Sequence, residues 1–450
     1  MATLQDESSV HDTFKRRRFL LAAICTLAVG VAAGAGAKLL AGGSAGPFKA
    51  DAINAGDTAW VLAASALVMI MTPAVGFFYG GMVRSKNVVS VIKQSMVILA
   101  LVSIHYAPTI PHLAYMIFQA MFAIITPALI IGAFVERIRF RTMVVFVLLW
   151  ATLVYDPIAH WVWNPDGWLH KLGALDFAGG TVVHASSGFA ALAAAIVVGK
   201  RIGFKRGEAS EANNVPLTIL GAALLWFGWF GFNAGSALAA SPLAVSAFVV
   251  TNTAAAAAAL TWMALSWVQN GRPSALATAT GAVCGLVAIT PASGFVGPLS
   301  SIAIGVIGGL VTYLMLLFRT KGTQIDDTLD VWAAHGMGGV TGAILTGVFA
   351  EKVINSAGAN GLLFGNPGQL LTQIIAVVVT AAYSFVVTFL LLKLLSFMSL
   401  RVTDREEAVG LDIAAHGEEG YRIVPREEMP EPEVQLQEGE TIVYSSAQED

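Results

Sequence analysis

The sequence predicts an all-α polytopic membrane protein with eleven transmembrane helices, built as two inverted five-helix repeats plus one C-terminal helix. Three observations carry that prediction. Of the 450 residues, 56% are hydrophobic and only 12% charged, where an ordinary soluble chain is about a quarter charged. Apolar windows of about 18 to 25 residues recur from Trp60 onward, the length a helix needs to cross a bilayer. The connections between them alternate between basic and nearly uncharged, as the positive-inside rule requires of a multi-pass protein.

Residues 1–37 read as a signal peptide. A basic run, Lys15 to Arg18, precedes an apolar stretch from Phe19 that ends in Ala35-Gly36-Ala37, an A-x-A cleavage site. An uncleaved first helix is the alternative. The eleven windows fall at about 58–80, 88–104, 112–132, 142–162, 177–199, 215–237, 245–268, 275–297, 300–318, 330–349 and 369–399, within a transport domain of residues 50–400. The second is the shortest. Its seventeen residues span roughly 26 Å, near the minimum for a crossing. Arg84, Lys86, Arg137, Arg139, Arg141, Lys200, Arg201, Lys205, Arg206, Arg272, Arg319, Lys321 and Arg401 all fall on one side of the membrane. That side is therefore cytoplasmic, the N-terminus is outside after signal cleavage, and the tail of residues 401–450 is inside. The tail holds 14 of the 29 acidic residues and 4 of the 26 basic ones, so it reads as a solvated acidic segment.

Two windows stand apart because each carries a lone histidine. The run from Asp176 to Gly199 contains His184, and the run from Asp330 to Phe349 contains His335, about 150 residues later. Lipid cannot satisfy an imidazole at membrane depth, so each must face a cavity or a partner. An Asp then a His in the fifth and tenth windows is the strongest echo between the two halves. Inverted repeats of this kind argue for a transporter or channel with its site at the repeat interface, where the two imidazoles meet. Asp176 reads as a helix cap, a structural role, ahead of direct cation contact. Trp226 and Trp229 read as packing between helices, and His105, His112, His160 and His170 as hydrated residues at outer ends or in loops. No HExxH, GxSxG, CxxC or phosphate-cradling loop stands at a convincing position, so the chain reads as neither an enzyme nor a metal protein, with no cofactor. Cys25 and Cys284 form no disulfide framework.

Along the chain stand the motifs FFYGGMVRSKN, ALIIGAFVERIRF, DFAGGTVVH, GWFGFNAGSA, AITPASGFVGP, DDTLDVWAAHG and GLDIAAHGE, in this order. Together they resemble the ammonium transporter (Amt/Mep/Rh) family in its bacterial form, from about residue 50 to 421. The resemblance implies a homotrimer in the cell inner membrane, each protomer with a narrow pore that recruits ammonium, deprotonates it and passes ammonia. It implies His184 and His335 as the pore pair and Phe122 and Phe232 as a gate. A recruitment site would comprise Phe122, Trp163, Ser236 and the Ala178 carbonyl, with Phe118 and Gln119 a turn above. The tail resembles a segment that couples protomers and meets P-II type signalling proteins; Ala415 stands where the family often has an acid. Beyond ammonium, ammonia, P-II and membrane lipid no partner is implied, and no nucleic acid. A membrane ammonium sensor signalling through the tail, with little transport, is the second reading.

Overall fold

The computed structural model describes residues 53–98, 110–207 and 212–421. The signal segment 1–37, His105, the outer part of the second window and the tail beyond Tyr421 lie outside the described residues.

Each of the eleven windows carries a helix. They are α1 (Ala55–Met82), α2 (Val88–Ile98), α3 (His112–Ile130), α4 (Phe140–Trp150, continuing through a π-turn into Asp156–Trp163) and α5 (π-turn Gly180–Ala185, then Ser186–Val198). The second half comprises α6 (Val215–Gly235), α7 (Pro242–Asn270), α8 (Ala275–Ile289), α9 (Pro298–Leu317) and α10 (π-turn Trp332–Met337, then Gly338–Phe349). The last span is α11 (Pro367–Leu395), and a short helix, α12 (Asp404–Val409), lies in the tail. Among the described residues, eight segments are long and apolar enough to cross a membrane. The protein is multi-pass.

The expected window 275–297 is shorter as a helix. It stops at Ile289, because Pro291 cannot donate to the ladder, and the Pro291 carbonyl instead accepts the Phe177 amide at 3.1 Å. Helix starts follow local chemistry. Asn214 and Ser274 cap the amides of Leu217 and Ala277, and a proline opens α6, α7, α9 and α11.

The first helix of each half packs directly on the other. Gly221, Gly228 and Gly235, seven residues apart on α6, seat the backbone or side chains of Phe78, Met71 and Ala64 on α1. With no hydrophobic drive between helices in lipid, such close approach supplies the dispersion contacts that hold them.

At the basic end, Arg137 is fully buried, and its five donors all reach acceptors: Gly199, Val135, Ala133 and Asp326 carbonyls and the Thr328 hydroxyl. The tail closes over this end. Thr403 and Glu406 form a capping box at the start of α12, and buried Glu407 pairs with Arg401 at 2.7 Å and accepts the Ile202 amide at 2.6 Å. Asp412 then accepts the Val89 and Ser90 amides at 3.0 and 2.7 Å, a carboxylate on the positive end of α2. His416 Nε2 lies 3.2 Å from the Ser90 hydroxyl, with its ring edge-on to Phe140.

Docking makes the tail sensitive to acid. Burial, then Lys93 on α2, pushes His416 below its ordinary 6.5, while Asp412 and Glu418 pull it back only in part. A docked His416 thus binds protons less readily than a free one. The His416 contribution to docking is fully present above pH 6.5 and weakens as the pH falls below it, in the range above that where Asp412, raised from 3.8 by burial, takes up its proton. We expect limited proteolysis between Val402 and Tyr421 to accelerate as pH drops from 7.5 to 5.5, and His416→Asn to flatten that dependence.

Candidate functional site

The sequence Asp176-Phe-Ala-Gly-Gly180 makes a tight entry into α5. Gly179 takes φ +110°, which favours glycine, and the Asp176 carboxylate accepts four consecutive amides, those of Gly179, Gly180, Thr181 and Val182, at 2.7–3.0 Å. All of its bonds are to backbone. The entry to α10 is also capped by a buried aspartate, with fewer amides, and that residue is Asp327 rather than Asp330. Asp327 accepts the Trp332 amide at 2.7 Å, whereas Asp330 has φ +56° and pairs with Arg319 at 2.5 Å. A residue in the left-handed region cannot continue the helix backwards, so the cap lies upstream of it. Asp176 precedes His184 by eight positions, and Asp327 precedes His335 by eight.

Both π-turns carry the histidines, and the two helices cross where side chains are absent. A Cβ on Gly188 would lie 2.1 Å from the Gly336 backbone, and one on Gly339 would lie 2.5 Å from the Gly180 carbonyl oxygen and 2.9 Å from His184 Cβ. This contact sets His184 Nδ1 3.2 Å from His335 Nδ1, both rings buried.

The pair borders a narrow void of about 10 Å³, lined also by Phe232, Trp229, Ile125 and Leu225, hardly room for one water. Among the described residues His184 Nε2 has no hydrogen-bond partner. On one side of the void Phe122 and Phe232 pack with ring centroids 4.4 Å apart and planes tilted by 37°. Trp163 stands edge-on to Phe122 at 5.7 Å, and Phe118 at 5.0 Å. Trp163 Nε1 donates to the Asp176 carbonyl at 2.8 Å, which brings the indole beside the α5 entry, and Ala178 is fully buried in that entry. Ser236 is partly exposed and donates to the Phe232 carbonyl at 2.9 Å; Gln119 donates to the Tyr115 hydroxyl at 3.3 Å. On the other side His335 reaches a cavity of about 370 Å³ at the basic end, lined by Tyr79, Arg201, Gln269, Tyr313, Arg319 and Asp330 among others.

The Ammonium Transporter Family profile matches residues 59–108 and 105–421. The chain belongs to the ammonium transporter family. The two matched stretches meet at residues 105–108, where the second window ends. An "Ammonium transporter" of Bacillus subtilis (strain 168) is 46% identical over 402 residues, 82% of this chain and 98% of the relative. "Ammonium transporter Amt1" of Archaeoglobus fulgidus is 48% identical over 393 residues, 81% of this chain and 99% of that one. Among solved structures, Candida albicans Mep2 superposes with a TM-score of 0.74 at 34% identity, covering 79% of this chain and 88% of Mep2.

In this transporter Trp229 does more than pack between helices. Its indole stacks on His184 with centroids 5.3 Å apart and donates to Thr290 Oγ1 at 2.9 Å. In the motif GWFGFNAG, Trp229 and Phe232 are three apart and share a helical face, but which way that face turns is set by the seating of α6 on α1. Trp226 is only partly buried and packs on the core. Among the described residues, no cluster of three His, Cys, Asp or Glu is arranged to hold a metal ion.

Proposed function

We propose that this ammonium transporter recruits ammonium at the aromatic wall of Phe122 and Trp163, strips its proton, and conducts ammonia past Phe122 and Phe232 along His184 and His335 into the basic-end cavity. The observation that carries the reading is the imidazole pair, joined through Nδ1, at a void with almost no room for water.

Two neutral rings that share one Nδ1 proton differ at their far nitrogens. The donor ring keeps a bare Nε2 and the acceptor ring carries Nε2–H. The pair therefore offers ammonia both an acceptor and a donor. Moving the bare ion through so dry a passage would cost on the order of 20 kcal/mol by the idealised Born estimate. Removing a proton near neutral pH costs about 1.4 kcal/mol per unit of pH below the amine pKa, roughly 3–4 kcal/mol in all. Deprotonation is the cheaper route. At the wall, a cation over the faces of Phe122 and Trp163 gains about 0.5–2 kcal/mol according to how far it is desolvated. Ser236 and the Ala178 carbonyl supply acceptors beside it, with Phe118 and Gln119 behind.

In this reading the protein is a homotrimer of the cell inner membrane. Its basic end is cytoplasmic, its N-terminus is outside, and its docked tail is the surface a P-II type protein would meet. The test is ammonium-evoked current and stopped-flow ammonia flux in liposomes, for the parent, His184→Ala and His335→Ala, each shown to be folded by size-exclusion. We expect flux or ammonium selectivity to change by about tenfold or more in both variants, a barrier change of about 1.4 kcal/mol. Parental flux and selectivity in both would overturn the mechanism, and a folded parent with neither current nor flux would favour the sensor.

A further inference from the structure

Gln373 stands on α11, outside both repeats, yet its carboxamide reaches the loop that feeds α5. Oε1 accepts the Leu175 amide at 2.7 Å and Nε2 donates to the Leu175 carbonyl at 2.7 Å, the two-point pairing a neighbouring strand would make. The other Nε2 proton goes to the Ala343 carbonyl on α10 at 3.0 Å, and Oε1 also accepts from Gln369 at 3.3 Å. All four hydrogen-bonding positions of the carboxamide are filled, and the side chain is 1% exposed.

An apolar span needs no such group for its own stability, and a buried amide in a membrane is costly unless paired. The pairing serves what it holds. Leu175 is joined to Asp176, whose carboxylate caps α5 ahead of His184 and whose carbonyl receives Trp163 Nε1. Ala343 lies on α10, eight residues after His335. One side chain therefore bonds the loop that leads into one histidine helix, next to the residue that supports Trp163, and the body of the other histidine helix.

We infer that Gln373 is a positioning residue, which fixes the aromatic wall and the two histidine helices in one register through Leu175 and Ala343. The inference rests on the reading of Phe122 and Trp163 as the recruitment wall. Because Gln373 acts through the Asp176 carbonyl on Trp163, its loss weakens recruitment before it slows passage. Gln369 donates to the Gly173 carbonyl at 2.9 Å and, more weakly, to Gln373 Oε1 at 3.3 Å, but it bonds neither Leu175 nor Ala343, so its replacement leaves the Leu175 pairing in place.

The experiment is uptake against ammonium concentration in liposomes, normalised to folded protein, for the parent, Gln373→Met, Gln373→Glu, Gln369→Met and Trp163→Ala. Gln373→Met is expected to raise the half-saturating concentration about fivefold, the equivalent of one net hydrogen bond, with maximal flux within about twofold of the parent. Gln373→Glu keeps the shape and the acceptor for the Leu175 amide but loses the donor to the Leu175 carbonyl, so it shifts in the same direction and serves if the Met variant does not fold. Gln369→Met is expected to stay near the parent. Parental half-saturation in the Gln373 variants alongside a shifted Trp163→Ala overturns the positioning role, as does a loss of maximal flux with half-saturation unchanged. Parental half-saturation in Trp163→Ala instead overturns the wall, and the inference with it.

Discussion

Gly188→Ala is expected to abolish transport and most of the folded protein, while Gly336→Ala, at the same crossing, is expected to leave both largely intact. The two glycines face each other, but the space beside them is unequal. A Cβ on Gly188 would sit 2.1 Å from Gly336 Cα and from its amide nitrogen, where nothing can rotate away. The same atom on Gly336 would meet Trp332 Cδ1 at 3.2 Å and the Gly188 backbone at 3.3 Å, contacts that a few tenths of an ångström relieve. Overpacking a well-filled contact costs about 1–3 kcal/mol where side chains can shift, and more where backbone must. Separation of α5 from α10 would also part His184 from His335, since no other bond joins the two rings across the 3.2 Å gap. Gly339→Ala belongs with Gly188→Ala, because its Cβ would press on the Gly180 carbonyl and on His184 itself. The check is the yield and thermal midpoint of detergent-solubilised protein with flux on the folded fraction. Equal behaviour of Gly188→Ala and Gly336→Ala would refute this account of the crossing.

What could be read before the structure was governed by how local each signal is. The spans and the lone histidines are properties of short windows. A single imidazole among small apolar residues is conspicuous wherever it points, so His184 and His335 stand out from composition alone. Trp229 does not, because a tryptophan on a membrane helix looks the same whether the helix turns it toward a neighbour or toward a pore, and only the seating of α6 on α1 decides the rotation. The α10 cap was legible in part. The matched eight-residue intervals from Asp176 to His184 and from Asp327 to His335 are visible in the chain, but Asp330 stands nearer the apolar run and draws attention until its positive φ shows that it cannot cap. Gln373 and Gly188 were out of reach. Each matters through one contact with a segment far away in the chain, and nothing local to either residue marks it.

The paired caps lead to the other large effect. Asp176→Asn is expected to destabilise the protein severely, and Asp327→Asn only mildly, although both carboxylates are buried at the start of a histidine helix. Each Asp176 oxygen accepts two amides, Oδ1 from Gly179 and Gly180 and Oδ2 from Thr181 and Val182. An asparagine can keep one such pair, but its NH2 must then face the other two N–H groups, donor against donor. Two buried donors left unsatisfied cost about 1–3 kcal/mol each, roughly 2–6 kcal/mol together, which approaches the whole stability of many folded domains. At Asp327 the demand is lighter. The Trp332 amide bonds Oδ2 and the Val331 amide also lies on the carboxylate, two backbone donors in place of four, so an asparagine that keeps its oxygen toward Trp332 leaves fewer of them unsatisfied. The measurement is the thermal midpoint of each variant in detergent, followed by flux on the folded fraction. If Asp176→Asn melts with the parent, the four amides are held by something other than the carboxylate, and the capping role fails. If Asp327→Asn falls as far as Asp176→Asn, then the charge beside Arg319 and Asp326, rather than the hydrogen-bond geometry, governs the entry to α10.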